Sequence, residues 1–339
     1  MKKSLLILFF TCWALFFAAF RPVMPFAAET AAFPDGTPVT GGRILMGTIG
    51  EPSNLIPYMA SDSASGEITG LLYVAPLKYD KDLNVVPWAA ASYEVLEGGR
   101  LLRFVLRDDI RWEDGVPLTA DDVEFTYKLM IDPKTPTAYS GDFLAIESFK
   151  KTGRLSFEVR YAKPFARSLM TWMGAILPKH VLEGQDIMTT PVARKPIGAG
   201  PYRLAKWDAG SMLTLTASDT YFEGRPNLDE VVYRIIPDPS TMFLELKAGK
   251  LDMMSLSPQQ YLRQTQGPQW ERDWRKYRYL SFSYTFLGFN LEHPFFKNVR
   301  VRRAISMAID RQSLIDGVLL GQGVPTVGPY KPGTWAYND

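Results

Sequence analysis

The chain has 339 residues, 46% hydrophobic and 22% charged, with 38 Lys+Arg against 36 Asp+Glu. A single core rarely grows past about 250–300 residues, so more than one lobe is expected. An aromatic content of 13% excludes a disordered or collagen-like chain. The near-balanced charge gives no surplus for nucleic acid, and one cysteine with two histidines excludes a disulfide framework or a zinc finger.

At the start, Lys2 and Lys3 precede an apolar run from Leu5 to Phe20, broken by Thr11 and Cys12, and Ala27 and Ala28 follow. A cationic start, an apolar stretch and small residues read as an export signal over residues 1–28, with an uncleaved anchor as the alternative. Its removal leaves 35 basic against 36 acidic residues and no cysteine. That composition suits a compartment in which stray thiols oxidise.

RILMGTIG (43–50) reads as a strand ending at glycine, and Pro52 and Pro57 bracket the turn after it. The polar stretch Ser61–Glu67 then opens a capped helix through Ile68, Leu71 and Leu72. In LLRFVLRDDIRW, Leu102, Phe104 and Leu106 alternate with Arg103, Val105 and Arg107, which predicts a strand with one buried face. DGVP turns the chain, and Thr119 with Asp122 three residues on has the spacing of a capping box. Val123, Tyr127, Met130 and Ile131 give the following helix an apolar face.

FEVRYAKPF (157–165) is a second alternating strand, running into a helix with Leu169, Met170 and Trp172. GAGPYRLAKW (198–207) predicts a glycine bend and a strand, and LTLTA and VVYRII continue the β character. The helix PSTMFLELKAG (239–249) precedes a strand-like LDMMSL. Further on, Val301, Ala304, Ile305, Ala308 and Ile309 form one helical face, and Asp310 caps a short helix through Leu314 and Ile315. Strands and helices mix without strict βαβ alternation, so a mixed α/β (α+β) fold is expected.

Several conspicuous residues have simple structural readings. Asp121 and Asp122 suit a first helical turn and do not mark a catalytic carboxylate pair. His180 and His293, each beside a proline, read as surface loop residues. WERDWRKYRYL (270–280) interleaves rings with cations as a nucleic-acid platform does, but Glu271 and Asp273 dilute it, and an amphipathic segment with inward aromatics is preferred. Arg300, Arg302 and Arg303 lie in a first helical turn, unfavourable for cations, so acidic partners from another lobe and a solvated face both stay open. Trp172, Trp207 and Tyr284 are core by default.

The stretch from Tyr93 to Tyr127 resembles the signature of the family 5 extracellular solute-binding proteins, the peptide, nickel and related receptors of ABC importers. Within FVLRDDIRWEDGVPLTADDVEFTY, Trp112, Asp114, Gly115, Pro117, Thr119, Asp121, Asp122 and Val123 carry it. GEPSNLIP (50–57), GAGPYRL with TYFEGRPNLDEVVYRIIPD, and FNLEHPFFKNVRVRRAISMAIDRQSLIDGVLLGQG resemble further blocks of the same family in the same order.

The resemblance implies a periplasmic-binding-protein type II clamshell with an extra lobe. Lobe I would comprise 41–70 plus 195–287, lobe II 71–194, and lobe III would begin at 288, truncated here. It also implies a monomeric, periplasmic or surface receptor without cofactor or metal. Such a receptor captures oligopeptides, dipeptides or another small polar solute and delivers it to permease subunits served by separate ATPase subunits. A nickel chelate or oligosaccharide remains an alternative ligand. A secreted carboxylate-dependent hydrolase and an anchored sensor or scaffold remain alternative functions. For ligand contact the expectation is Ser61, Asp62, Ser63 and Ser65 at a helix entrance, whose N–H groups and hydroxyls suit a polar solute, and Tyr284 and Phe286 near the passage into lobe III.

Overall fold

The computed structural model describes residues 38–334 and Tyr337. The export segment expected at 1–28 lies outside the described residues. The chain divides into two compact units, one running to Ser255 and the other starting at Leu256.

The first unit begins with β1 (Arg43–Thr48), α1 (Ser63–Leu72), β2 (Leu77–Tyr79), β3 (Val85–Pro87), β4 (Ala90–Leu96) and β5 (Leu101–Leu106). There follow α2 (Ala120–Ile131), α3 (Ser140–Leu144), β6 (Ile146–Lys151), β7 (Ser156–Tyr161), α4 (Ser168–Thr171) and α5 (Lys179–Leu182). It ends with β8 (Tyr202–Asp208), β9 (Met212–Ala217), β10 (Glu230–Ile235) and α6 (Pro239–Lys247). One sheet has the order β1-β10-β9-β8, with β1 parallel to β10 and the remaining pairs antiparallel. A second, fully antiparallel sheet has the order β4-β5-β7-β6, and β2 and β3 form a small ribbon.

The alternation in β5 sets which face is dry. Leu102, Phe104 and Leu106 are buried, while Arg103 on the wet face reaches Glu94 and Glu158, each at 2.9 Å. On the dry face Phe104 stacks on Phe157 at 4.8 Å, and Trp172 leans on both rings. Burying one such ring contributes roughly 1.5–3 kcal/mol. The strand stops at Leu106 instead of running on to Trp112, and just beyond it Arg107 folds onto Asp109 at 2.6 Å. Thr119 and Asp122 form the capping box that opens α2. Asp122 also accepts the Lys179 N–H at 3.0 Å, which ties α5 to α2.

LDMMSL contributes only a bridge, Met253 to Met46, in place of a strand. Asp252 and Met253 pair with Leu45 and Gly47 along the outer edge of β1, and the ladder ends there.

Gly198 and Gly200 press against the end of α1. A Cβ on Gly198 would lie 2.0 Å from the Leu72 carbonyl oxygen, and one on Gly200 2.4 Å from that of Leu71. The Gly200 N–H donates to the Leu72 carbonyl at 2.8 Å, so the close approach is itself a hydrogen bond. Only a residue without a side chain fits this bend.

The second unit holds a π-helical turn (Gln260–Gln264), α7 (Pro268–Asp273), α8 (Pro294–Lys297), α9 (Val299–Ala308) and α10 (Arg311–Gly317). Asp310 caps α10 through the Ser313 N–H at 2.9 Å, as the sequence predicts. Three expectations fail here. Of the rings of 270–280, Trp270 and Trp274 are half-buried against each other, but Tyr277 is 57% exposed and not turned inward, and Tyr284 is exposed where a core position was expected. Arg302 meets neither an acid nor open solvent; it donates to the Phe296 and Lys297 carbonyls at the end of α8, at 2.6 and 3.0 Å. His293 accepts the Phe295 N–H as the cap of α8.

In the first unit His180 sits on α5 rather than in a loop, 2.7 Å from Asp114. Trp207 is only half-buried.

Candidate ligand-binding site

The stretch between β1 and α1 is held from both sides. Leu55 and Ile56 are fully buried, and Leu55 N–H donates to the Ala193 carbonyl at 3.0 Å. Ahead of them the Glu51 carboxylate accepts the Trp207 indole N–H at 2.7 Å, and Arg194 lies over that indole at 3.9 Å while facing Glu51 at 3.7 Å. Such a cation over an indole contributes about 0.5–1 kcal/mol at an exposed site. Behind them Tyr58 takes a positive φ of 73°. Its hydroxyl donates to the Ala175 carbonyl at 2.8 Å, and its own carbonyl accepts the Thr137 hydroxyl at 2.8 Å.

The four residues expected at the helix entrance lie together, but in two different roles. Asp62 is the N-cap: its carboxylate accepts the Ser65 N–H at 2.8 Å, the Ser65 hydroxyl at 2.8 Å and the Ser53 hydroxyl at 2.5 Å. Partial burial pushes its pKa up, but the hydrogen bonds from Ser53 and Ser65 outweigh that and hold it below the usual aspartate range. Ser65 is buried, and its oxygen accepts from the Ser53 and Asn54 N–H groups at 2.9 and 3.3 Å.

Asp62 and Ser65 therefore hold the turn against the helix. Ser61 and Ser63 are exposed, and the Ser63 and Ala64 N–H groups have no acceptor among the described residues. Two hydroxyls and two amides form the outward-facing polar surface at this entrance. The cap carboxylate beside them already satisfies the positive end of the helix, so the surface suits carbonyl groups better than a second anion.

Tyr284 and Phe286 belong to the second unit. Both rings are exposed, their centroids 5.4 Å apart and tilted by 37°. They form a small apolar platform. The structure thus brings Ser61, Asp62, Ser63 and Ser65 together in one unit and Tyr284 with Phe286 in the other.

Sequence reasoning missed Ser53 and the Glu51–Arg194–Trp207 cluster. Glu51 stands in the GEPSNLIP block, but nothing near it in the chain points to Trp207, 156 residues away. The acidic pair of α2 is engaged elsewhere, with Asp121 paired to Lys151 and Asp122 capping the helix. Among the described residues no three His, Cys, Asp or Glu side chains gather as metal ligands, and no helix is long and apolar enough to cross a membrane.

Comparison with known proteins gives this architecture its class. The chain is 32% identical over 308 residues to the oligopeptide-binding protein AppA of Bacillus subtilis, covering 89% of this chain and 56% of that protein. The structure of that AppA in complex with a nonapeptide superposes with a TM-score of 0.81 at 31% identity, over 89% of this chain and 60% of the other. NikZ from Campylobacter jejuni in complex with Ni(L-His) superposes with a TM-score of 0.73 at 26% identity, over 82% of this chain and 55% of the other. The fold is the mixed α/β fold of the periplasmic binding proteins. The family model of the bacterial extracellular solute-binding proteins, family 5 Middle, matches residues 84–339, and the chain belongs to that family. It spans a little over half the length of these relatives.

Proposed function

We propose that the chain acts outside the cytoplasm as the solute-binding component of an ABC importer. It captures oligopeptides or dipeptides and presents them unaltered to membrane permease subunits, with ATP hydrolysed by separate subunits. The observation that carries this reading is the likeness to the Bacillus subtilis protein with its bound nonapeptide, over a stretch that includes both candidate contact sets.

The division of labour proposed is lobe I at 41–70 plus 195–287, lobe II at 71–194 and lobe III from 288. Ser61, Ser63 and the Ser63 and Ala64 amides offer hydrogen bonds to peptide groups, Asp62 and Ser65 hold that surface in place, and Tyr284 and Phe286 offer apolar contact to side chains. Ligand shifts an open–closed equilibrium by its differential affinity for the closed form, and the permease reads that form.

A thermal-shift comparison of dipeptides, longer peptides, nickel chelates and oligosaccharides tests the proposal. A bound ligand at 100 times its Kd stabilises by ~2.7 kcal/mol. Peptides are expected to shift the melting of the full-length protein and to be recovered intact. A shift with a nickel–histidine chelate alone would favour the second reading, which the likeness to NikZ supports. Hydrolysed peptide would end the receptor reading.

A further inference from the structure

We propose that Tyr58 is a positioning residue through which lobe II (71–194) holds the helix-entrance surface of lobe I in shape for peptide. The inference rests on the peptide-receptor reading and concerns how that same surface is kept ready.

The backbone singles this residue out. Among the described residues Tyr58, Leu83, Glu97 and Leu320 are the side-chain-bearing residues at positive φ. Leu83 lies in the turn from β2 to β3, Glu97 in the turn from β4 to β5, and Leu320 just past α10, where such values close a turn or end a helix. Tyr58 lies instead within the connection from β1 to α1. A ring-bearing residue keeps a left-handed conformation only where its surroundings over-determine it.

Those surroundings come from two separate stretches of lobe II. The Tyr58 hydroxyl donates to the Ala175 carbonyl at 2.8 Å, and burial pushes its pKa up, so it stays a neutral donor. A Cβ on Gly174 would lie 2.3 Å from that hydroxyl, so the ring enters a slot that only glycine leaves open. The ring also meets Tyr139 and Phe143 edge-on, each with its centroid 6.0 Å away. On the backbone, the Thr137 hydroxyl donates to the Tyr58 carbonyl at 2.8 Å, and the Tyr139 hydroxyl to the Ala60 carbonyl at 3.4 Å.

Exposed Ser61 therefore lies between two clamps. On one side Ala60 is held by Tyr139 of lobe II, and on the other Asp62 is held by Ser53 and Ser65 of lobe I. A loose segment must be ordered when ligand binds, at a cost in affinity, and ordering it beforehand removes that cost. Tyr58 acts through Ala60 and Ser61 rather than by contact with the peptide. Lobe II thus contributes to affinity through the shape of a surface on lobe I.

The test measures binding of trialanine and of the nonapeptide Arg-Pro-Pro-Gly-Phe-Ser-Pro-Phe-Arg to the full-length protein, at a temperature where circular dichroism shows every variant folded. Tyr58→Phe keeps the ring and removes the bond to Ala175. It should weaken binding by about three- to tenfold, the span of one hydrogen bond. Gly174→Ala should do the same by displacing the hydroxyl, and should add little when combined with Tyr58→Phe. Tyr93→Phe, which removes a hydroxyl bond to the Val85 carbonyl within lobe II, should leave affinity unchanged. Without peptide, hydrogen exchange over 57–66 should be about threefold faster or more in Tyr58→Phe than in wild type.

The proposal is overturned if Tyr58→Phe lowers the melting temperature but leaves affinity and exchange over 57–66 unchanged, the result of a purely structural bond. It is also overturned if Tyr93→Phe weakens binding as much. A wild-type protein that binds neither probe ends the peptide-receptor reading, and this inference with it. Unchanged affinity in the variants ends this inference alone.

Discussion

In the first unit Leu55, Phe104, Trp112 and Phe157 are sealed from water, joined in a core that reaches from Leu55 to Tyr233. In the second, Ile315 is the one apolar side chain buried among the described residues, although the sequence is no less apolar in pattern. Both units have well-capped helices, so local hydrogen bonding does not distinguish them. What differs is the supply of facing surfaces. In the first unit, rings on β5, β6 and β7 and the indole of Trp172 meet one another, while no residue of α9 is buried and its Val301 and Ile305 are only half-covered. A pattern of buried-type residues makes a core only where the chain supplies both faces.

The largest expected effect follows from that contrast. Under native conditions, trypsin should cut after Arg275, Arg300 and Arg303 well before any bond between Ala90 and Ala217, because opening costs less where little apolar surface is packed. Mass spectrometry of the first fragments decides it. Equal resistance at Arg103 and Arg300 would erase the distinction between the units.

A pair of glycines sharpens the comparison at a single atom. Gly198→Ala places a methyl into the Leu72 carbonyl and is expected to destabilise by about 1–3 kcal/mol. Gly288→Ala meets only the Phe286 ring edge at 3.5 Å and should change stability by less than about 0.5 kcal/mol. Thermal unfolding of the two variants reads the difference. Equal losses would mean that the bend at 198–200 can relax.

The smallest effect is a pH dependence inside the first unit. Burial pushes the pKa of Asp122 above the usual aspartate value, against the pull of hydrogen bonds from Thr119 and Lys179. The folded protein therefore holds that proton more tightly than the unfolded chain. Its contribution is greatest below the usual aspartate pKa and declines as pH rises through the raised one. The stability gap between wild type and Asp122→Asn should narrow with rising pH. Asp62 has the opposite sign. Its lowered pKa gives a contribution present above the usual value and lost as pH falls through the lowered one. The gap to Asp62→Asn should thus widen with rising pH. Melting curves across the acid range test both slopes together.

Much of the local structure was legible. The alternation of Leu102, Phe104 and Leu106, the box at Thr119 and Asp122, and the cap at Asp310 are decided by residues within a turn or a pleat of one another. The candidate site was legible only as a neighbourhood. Ser61, Ser63 and Ser65 look alike in the chain, but Ser65 is buried by its bonds to Asp62, Ser53 and Asn54 while the other two remain exposed. Tyr284 was misjudged for the same reason, whereas Trp207 does pack against the core, though only half-buried. Ring size favours burial in general, yet the environment of each ring depends on residues far along the chain.

By itself the sequence determined the family blocks, the helix caps and the face each strand turns inward, since periodicity and capping act over a few residues. Tertiary structure alone decided that Gly198 must pass beside Leu72, that Glu51 meets Trp207 across 156 residues, and that no residue of α9 is buried. Those outcomes depend on which distant surfaces meet, and burial is a property of both surfaces together.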